Sequence, residues 1–418
     1  MRRSVIILIC ILALAAALRL GCVMKAAHEP LRGDQPNYDS IALNLITGHG
    51  YKLHYEVNRQ FPTALRGPSY VLFLATTYLI VGHHVVAPMI LQILMDLLTC
   101  YLLFQIGLML FKRRDAALLG ALLYAIYPPI IRNTAAILNE TFTCLMFVLA
   151  IYEFLRYMEN GKRSQIYWSA AAIGIGALSK PIFALLPVLF AISALPYRDK
   201  KRCLIDLGMQ LLIVALMFSP WVIRNALTFK AFIPTVTNGG FTFWGGVGPA
   251  NGRVVDGLDQ SHVPAYVLPA IRGMSEHEAD RWFYRDAFKI IKSNPGRYAT
   301  LLPVKFTRLW FSLPYDEPPT KGNILFLIFN LGLMALALLS VFTLRPPKWA
   351  SLLLLFLFLY FSLLHTLFFA TFRYAMPIYA FMFPFSAAGA LGILRPVKKI
   401  CPNSERLHVS AEREDYTL

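Results

Sequence analysis

With 418 residues, 57% of them hydrophobic, and a mean hydropathy of +0.54, the chain is too apolar for a soluble globular protein. It is long enough for roughly ten bilayer crossings. Its net charge of +17 lies in short patches between apolar runs, without any nucleic-acid-binding motif, which excludes nucleic acid as the partner. The patches are Arg2-Arg3, Lys112-Arg113-Arg114, Lys162-Arg163, Arg198 to Arg202, Arg345 to Lys348 and Arg395 to Lys399. That is the pattern of cytoplasmic loops, and it also suits anionic lipid head groups. The cysteines at 10, 22, 100, 144, 203 and 401 are scattered, mostly in or beside apolar runs, and read as small packing residues.

In chain order, the first span covers 4–24. It superficially resembles a lipoprotein signal ending at Cys22, but Arg19 sits where a small or apolar residue belongs. It is therefore read as a retained span with a cytoplasmic N-terminus. Residues 25–84 are external and include a short apolar juxtamembrane or re-entrant helix over 68–82. Spans follow at 85–111, 116–131 and 140–158, with an external turn at 132–139. The apolar stretch 166–196 lies between two basic patches and so crosses an even number of times. Its break at Ser179-Lys180-Pro181 makes it a hairpin with Lys180 at the outer tip. The seventh span is 203–221. Residues 222–323 form an external region with a Gly-rich stretch (238–248), read as a loop or flexible flap, and a helix over 275–293. That helix is opened by a capping box, Ser275 with Glu278. Spans at 324–344, 349–369 and 374–394 follow, then a polar tail, 395–418, read as cytoplasmic and flexible. Four regions result: an N-terminal transmembrane catalytic module (1–221), the external region (222–323), C-terminal transmembrane helices (324–394) and the tail.

This map puts the unusual charges on one membrane face. Asp34 and Asp39 lie on the first external loop, Glu140 opens a span, Lys180 tips the hairpin, Arg224 follows the seventh span and Arg373 opens the last. Ionisable groups at span ends are costly unless paired, hydrated or used. A guanidinium or ammonium can hold a phosphate, and a carboxylate can take a proton from an attacking hydroxyl. Arg66 and Arg19 read instead as basic anchors that reach the interface, Asp39 as a helix cap and His365 as a core histidine. Asp96, within a span, reads either as a pathway residue or as a buried, hydrogen-bonded carboxylate. No side-chain set has metal-ligand spacing, so no cofactor is expected; a divalent metal has no support in the sequence.

Six segments together resemble the GT-C glycosyltransferases, in particular the bacterial branch related to protein O-mannosyltransferases and the lipid A aminoarabinose transferase. They are Asp34-x-x-x-Tyr38-x-x-x-Ala42 with Gly48 and Gly50; Arg66-Gly67-Pro68-Ser69-Tyr70; and Asn139-Glu140-Thr141. The others are Gly176 to Pro181; Pro220-Trp221-x-x-Arg224-Asn225 leading to Asn238-Gly239-Gly240; and Arg373-Tyr374-x-x-Pro377. The resemblance implies an all-α GT-C-like transmembrane helix bundle with an external loop region. It implies Asp34 as the catalytic carboxylate. Lys180 would lie near the donor phosphate, Glu140 close to a second acidic position, and Arg224, Arg373, Tyr38 and Tyr374 would be further substrate-binding residues. Two departures stand out: Gln35 follows Asp34 where relatives often have an acidic residue, and Arg66 occupies a position that is acidic and metal-associated in the aminoarabinose enzyme.

The expected activity is transfer of a hexosyl or pentosyl group, with inversion, from a polyprenyl-phosphate sugar to an acceptor hydroxyl on a lipid, glycan or protein. The expected place is the periplasmic face of the bacterial inner membrane. The competing reading is a polytopic lipid or sugar transporter or flippase, which calls for charges near mid-span. A non-catalytic envelope assembly subunit would need no charge cluster.

Overall fold

In the computed structural model the described residues are 2–56, 59–249, 263–314 and 318–394. The tail 395–418, with its basic patch, lies outside them. Helix α1 (Arg2–Ala26) leads to a short helix α2 (Gln35–Ile46), a two-stranded antiparallel hairpin of β1 (Lys52–Glu56) and β2 (Arg59–Pro62), and α3 (Pro68–Val81). Then come α4 (Val86–Phe111), α5 (Arg114–Ile126), α6 (Pro128–Thr134), α7 (Glu140–Asn160), α8 (Arg163–Ala177) and α9 (Leu186–Ala194). The chain continues with α10 (Lys200–Phe229), α11 (Gly239–Gly246), α12 (Val267–Ile271), α13 (Glu276–Ser293) and α14 (Pro295–Phe311). It closes with α15 (Lys321–Thr343), α16 (Lys348–Leu367) and α17 (Met376–Leu394). Among the described residues, α1, α4, α7, α10, α15, α16 and α17 are long and apolar enough to cross a membrane. The bent pair α5–α6 counts as an eighth span. The other two of the expected ten are the halves of the 166–196 hairpin. They are shorter than a bilayer needs, and they break at Ser179-Lys180 as the sequence indicated.

Several boundaries differ from expectation for local reasons. The span placed at 116–131 bends by 58° between α5 and α6, where Pro128 and Pro129 follow Tyr127. Residues up to Thr134 are helical rather than a turn. Helix α10 runs eight residues past 221, carrying Pro220 within it, and ends at Lys230 in the left-handed region. The Gly-rich stretch is no flap: Gly239–Gly246 is helical, and Trp244 is fully buried against α13 and donates from Nε1 to Asp286 at 2.9 Å. The capping box at Ser275 and Glu278 is formed.

Helices α7 and α17 are the most enclosed, each 78% buried over its apolar window, so they form the axis of the bundle. Helix α17 packs on α15 at backbone contact. A Cβ added at Gly389 would sit 1.9 Å from the Leu336 carbonyl oxygen, so only glycine fits there. Helix α1 is mostly exposed along its length, as a lipid-facing edge helix is.

Arg19 does not reach an interface. It is fully buried between α1, α4 and α5, ion-paired with Asp96, and its Nη1 donates to the Ala125 and Ala15 carbonyls at 2.8 and 3.1 Å. The Tyr124 hydroxyl donates to the same carboxylate. Asp96 is thereby closed inside a structural ion pair, which removes the main mid-span charge that favoured a transporter. Arg19→Ala strands Asp96 and is expected to cost about 3–5 kcal/mol of stability. Thermal unfolding of the purified variant in detergent measures this, and Asp96→Asn in the same chain is expected to recover part of the loss.

Candidate functional site

The site forms where five chain breaks meet. Gly33, at φ +60, turns the chain so that Asp34 stands at the N-terminal boundary of α2, where Pro36 fixes the first turn. The Asp34 side chain does not cap that helix. Its two oxygens instead receive two guanidinium groups: Arg66 Nη2 donates to Oδ1 at 2.5 Å and Arg373 Nη2 to Oδ2 at 2.8 Å. Arg66 sits on the loop between β2 and α3. Arg373 sits in a 3₁₀ turn (Phe372–Tyr374) before α17. Glu140 is the first residue of α7, where a carboxylate suits the helix dipole. Its Oε1 meets Lys180 Nζ at 3.3 Å and Arg373 Nε at 3.7 Å. Its Oε2 is buried without a hydrogen-bond partner. The Lys180 break is stapled to the start of α7 by Asn139, whose Nδ2 donates to the carbonyl and hydroxyl oxygens of Ser179 at 3.2 and 2.9 Å.

Three cations thus face two carboxylates, and the cluster carries a net positive charge. Burial pushes the Asp34 carboxyl up, but the guanidiniums of Arg66 and Arg373 more than offset this and hold it below the ordinary carboxylate range. Aromatic rings line the cations. Arg66 lies over Tyr38 at 5.2 Å, while Lys180 and Arg373 lie over Tyr374 at 5.1 and 5.5 Å. The cluster opens into a cavity of about 360 Å³ whose remaining wall is largely apolar, with Ile182, Phe361, Leu364, Phe368 and Phe369. Among the described residues no group of three or more His, Cys, Asp or Glu is placed to hold a metal ion.

Of the residues singled out from sequence, the structure brings together Asp34, Tyr38, Glu140, Lys180, Arg373 and Tyr374. It does not bring in Arg224. That guanidinium donates to the Thr63 and Tyr51 carbonyls at 2.8 and 2.9 Å and lies over Tyr51 and Trp221, so it clamps the β-hairpin to α10. Asp39 caps no helix end. It accepts from the Tyr78 hydroxyl at 2.7 Å and pairs with His83 at 2.9 Å, joining α2 to α3.

Two further residues belong to the site, and a third braces the loops around it. Arg66 is a direct partner of Asp34, and the clue was its position in Arg66-Gly67-Pro68. A Cβ at Gly67 would lie 1.9 Å from the Leu178 carbonyl oxygen, so the loop bearing Arg66 rests directly on the Lys180 break. His365 lies on the cavity wall, stacked on Tyr374 at 4.7 Å. Glu276 has no sequence signal. It accepts from the Thr63 hydroxyl (2.6 Å), the Ala64 N–H (2.8 Å) and the Thr237 hydroxyl, bracketing two loops that wall the cavity.

Comparison with known proteins bears on the fold. The family model for dolichyl-phosphate-mannose-protein mannosyltransferase matches residues 66–223. Two solved structures from Archaeoglobus fulgidus superpose over 97% of the chain. One is the oligosaccharyltransferase AglB in complex with an inhibitory peptide and a dolichol-phosphate, at TM-score 0.58 and 14% identity. The other is the oligosaccharyltransferase tethered to an acceptor peptide, at 0.59 and 13%. The chain covers 52% of each, about half their length. ArnT from Cupriavidus metallidurans bound to undecaprenyl phosphate matches at TM-score 0.42 and 14% identity, over 91% of this chain and 77% of its own. No curated protein sequence matches. The chain has the GT-C fold.

Because its folded-state pKa is depressed, the Asp34 ion pairing contributes stability above about pH 4. That contribution is lost as the pH falls through the folded value. Asp34→Asn is therefore expected to lower the thermal midpoint at pH 7. The gap from the native protein should close on acidification below about pH 4, read by thermal unfolding across a pH series.

Proposed function

We propose that this GT-C-fold chain is a membrane glycosyltransferase that moves a sugar from a polyprenyl-phosphate donor to an acceptor hydroxyl. The observation that carries the reading is Asp34 held between Arg66 and Arg373, with Lys180 and Glu140 in the same cavity. The matched family description names dolichyl-phosphate-mannose, and one archaeal neighbour holds a dolichol-phosphate. A lipid-linked sugar brings its own prenyl chain for the apolar wall and its phosphate for the cations. A nucleotide sugar would need a phosphate-binding loop that the sequence does not contain.

The chemistry follows from the charges. In the free protein Asp34 is a weak base, because both of its oxygens are occupied by guanidiniums. A donor phosphate competes for Arg373 and Lys180. Once Arg373 turns toward the phosphate, one Asp34 oxygen is released and its basicity rises. The acceptor hydroxyl then gives its proton to Asp34, and its oxygen forms a bond to the anomeric carbon. The bond from that carbon to the phosphate oxygen breaks, and the electron pair leaves on the polyprenyl phosphate, stabilised by Lys180 and Arg373. Asp34 afterwards returns its proton to water. With Asp34 acting as base rather than nucleophile, a single displacement inverts the anomeric centre.

The site lies at the N-terminal end of α7. The opposite end, about 30 Å away, is closed by basic residues: Arg198 donates to the Tyr157 and Met158 carbonyls and Lys112 pairs with Glu159. With basic loops on the cytoplasmic side, the site faces outward from a bacterial cytoplasmic membrane.

Purified protein given a labelled polyprenyl-phosphate sugar and a panel of acceptors tests the proposal. Asp34→Asn is expected to lower turnover about 10²- to 10⁴-fold, with the protein still inserted and folded. Lys180→Ala is expected to weaken donor binding as well as turnover. Near-native turnover by Asp34→Asn would refute the assignment. Proton NMR of the product reads the anomeric configuration.

A further inference from the structure

A second cavity, of about 460 Å³, opens on the other side of Arg373. Arg373 is the one side chain that lines both cavities. The bend between α5 and α6 swings Arg132 and Asn133 into its wall, and Asn323 at the start of α15 and Ser312 at the end of α14 close it. Among the described residues no acidic side chain lines it and no carboxylate forms an ion pair with Arg132. This exposed arginine therefore shares one cavity with Arg373, the most heavily shared cation of the site.

We infer that the second cavity binds the acceptor through an anionic group, a phosphate or carboxylate, held between Arg132 and Arg373. The inference rests on the transferase reading and gives the acceptor a chemical class. Two guanidiniums across one cavity are a recognition element for a planar or tetrahedral oxyanion. The location agrees with the reaction. Inversion needs the attacking oxygen and the leaving phosphate on opposite faces of the anomeric carbon. Lys180 and the apolar wall belong to the first cavity only, so the leaving lipid phosphate occupies that side. An acceptor anchored in the second cavity approaches from the other side, where Arg373 reaches from that cavity to Asp34. Arg373 then links the two substrates: one edge against the acceptor's anion, the other released from Asp34 as the donor binds.

Two measurements test this. In the first, phenylglyoxal modifies the intact protein in detergent and peptide mass spectrometry reads the rate at Arg132, with and without inorganic phosphate. Phosphate is expected to slow modification of Arg132 but not of Arg272, an exposed arginine outside the cavity. Equal rates with and without phosphate overturn the proposal, and slowing of both sites alike marks a nonspecific salt effect and overturns it too. In the second, the labelled donor is offered to paired glycolipid acceptors that differ only in one phosphate group. Arg132→Ala is expected to raise KM for the phosphorylated acceptor about tenfold, with donor KM unchanged and Arg132→Lys recovering part of the loss. A rise in donor KM instead, or equal losses for both acceptors, overturns it. If the native protein transfers to no acceptor, the transferase reading falls, and the modification experiment alone decides whether the anion site exists.

Discussion

A carboxylate can stand in the wall of an apolar helix bundle only if its charge is answered where it stands, and at Asp34 the answer comes from both directions of the chain. Arg66 arrives from a loop 32 residues on and Arg373 from 339 residues on. Desolvation makes each ion alone unfavourable, and the pairings make the group tolerable. This requirement fixes much around it. Gly67 must lie flat on the Lys180 break so that Arg66 reaches Asp34. Glu140 must open α7 beside Lys180 so that the extra cation is itself answered. Charge balance and helix placement are one problem in this fold.

The same balance gives the site its responsiveness. An arrangement with one more cation than anion binds a phosphate without first displacing a proton. The aromatic faces of Tyr38 and Tyr374 beneath the cations confine them to the cavity while leaving their outer edges free to bond. The buried Oε2 of Glu140 has no hydrogen-bond partner among the described residues.

Much of this was legible in the sequence because membranes penalise charge so heavily. Asp34, Glu140, Lys180 and Arg373 stood out as ionisable groups at the ends of apolar runs, and the break at Ser179-Lys180-Pro181 fixed the hairpin from its basic flanks alone. What failed did so where three-dimensional partners decide. Arg66, Arg224 and Arg19 look alike in sequence, each a lone arginine beside an apolar run. One pairs with the site carboxylate, one clamps a hairpin through carbonyls and one is sealed in the core with Asp96. Spacing cannot separate them, since the partner that decides each role lies at least 32 residues away. The glycines of 238–248 suggested mobility by composition, but Phe243 and Trp244 bury against α13 and hold the segment helical. Glu276 was invisible because a helix-opening glutamate ordinarily needs no explanation beyond the dipole.

The deep burial of α17 also has a meaning for biosynthesis. The helix beside Arg373 is made after the helices it packs against, yet it fills the axis of the bundle and contacts helices made long before it. The earlier helices must therefore wait in the bilayer with a slot between them, and Asp34 must wait with one oxygen unanswered. Competence comes all at once, when α17 slides home, so a half-made chain carries an open seam rather than a working centre.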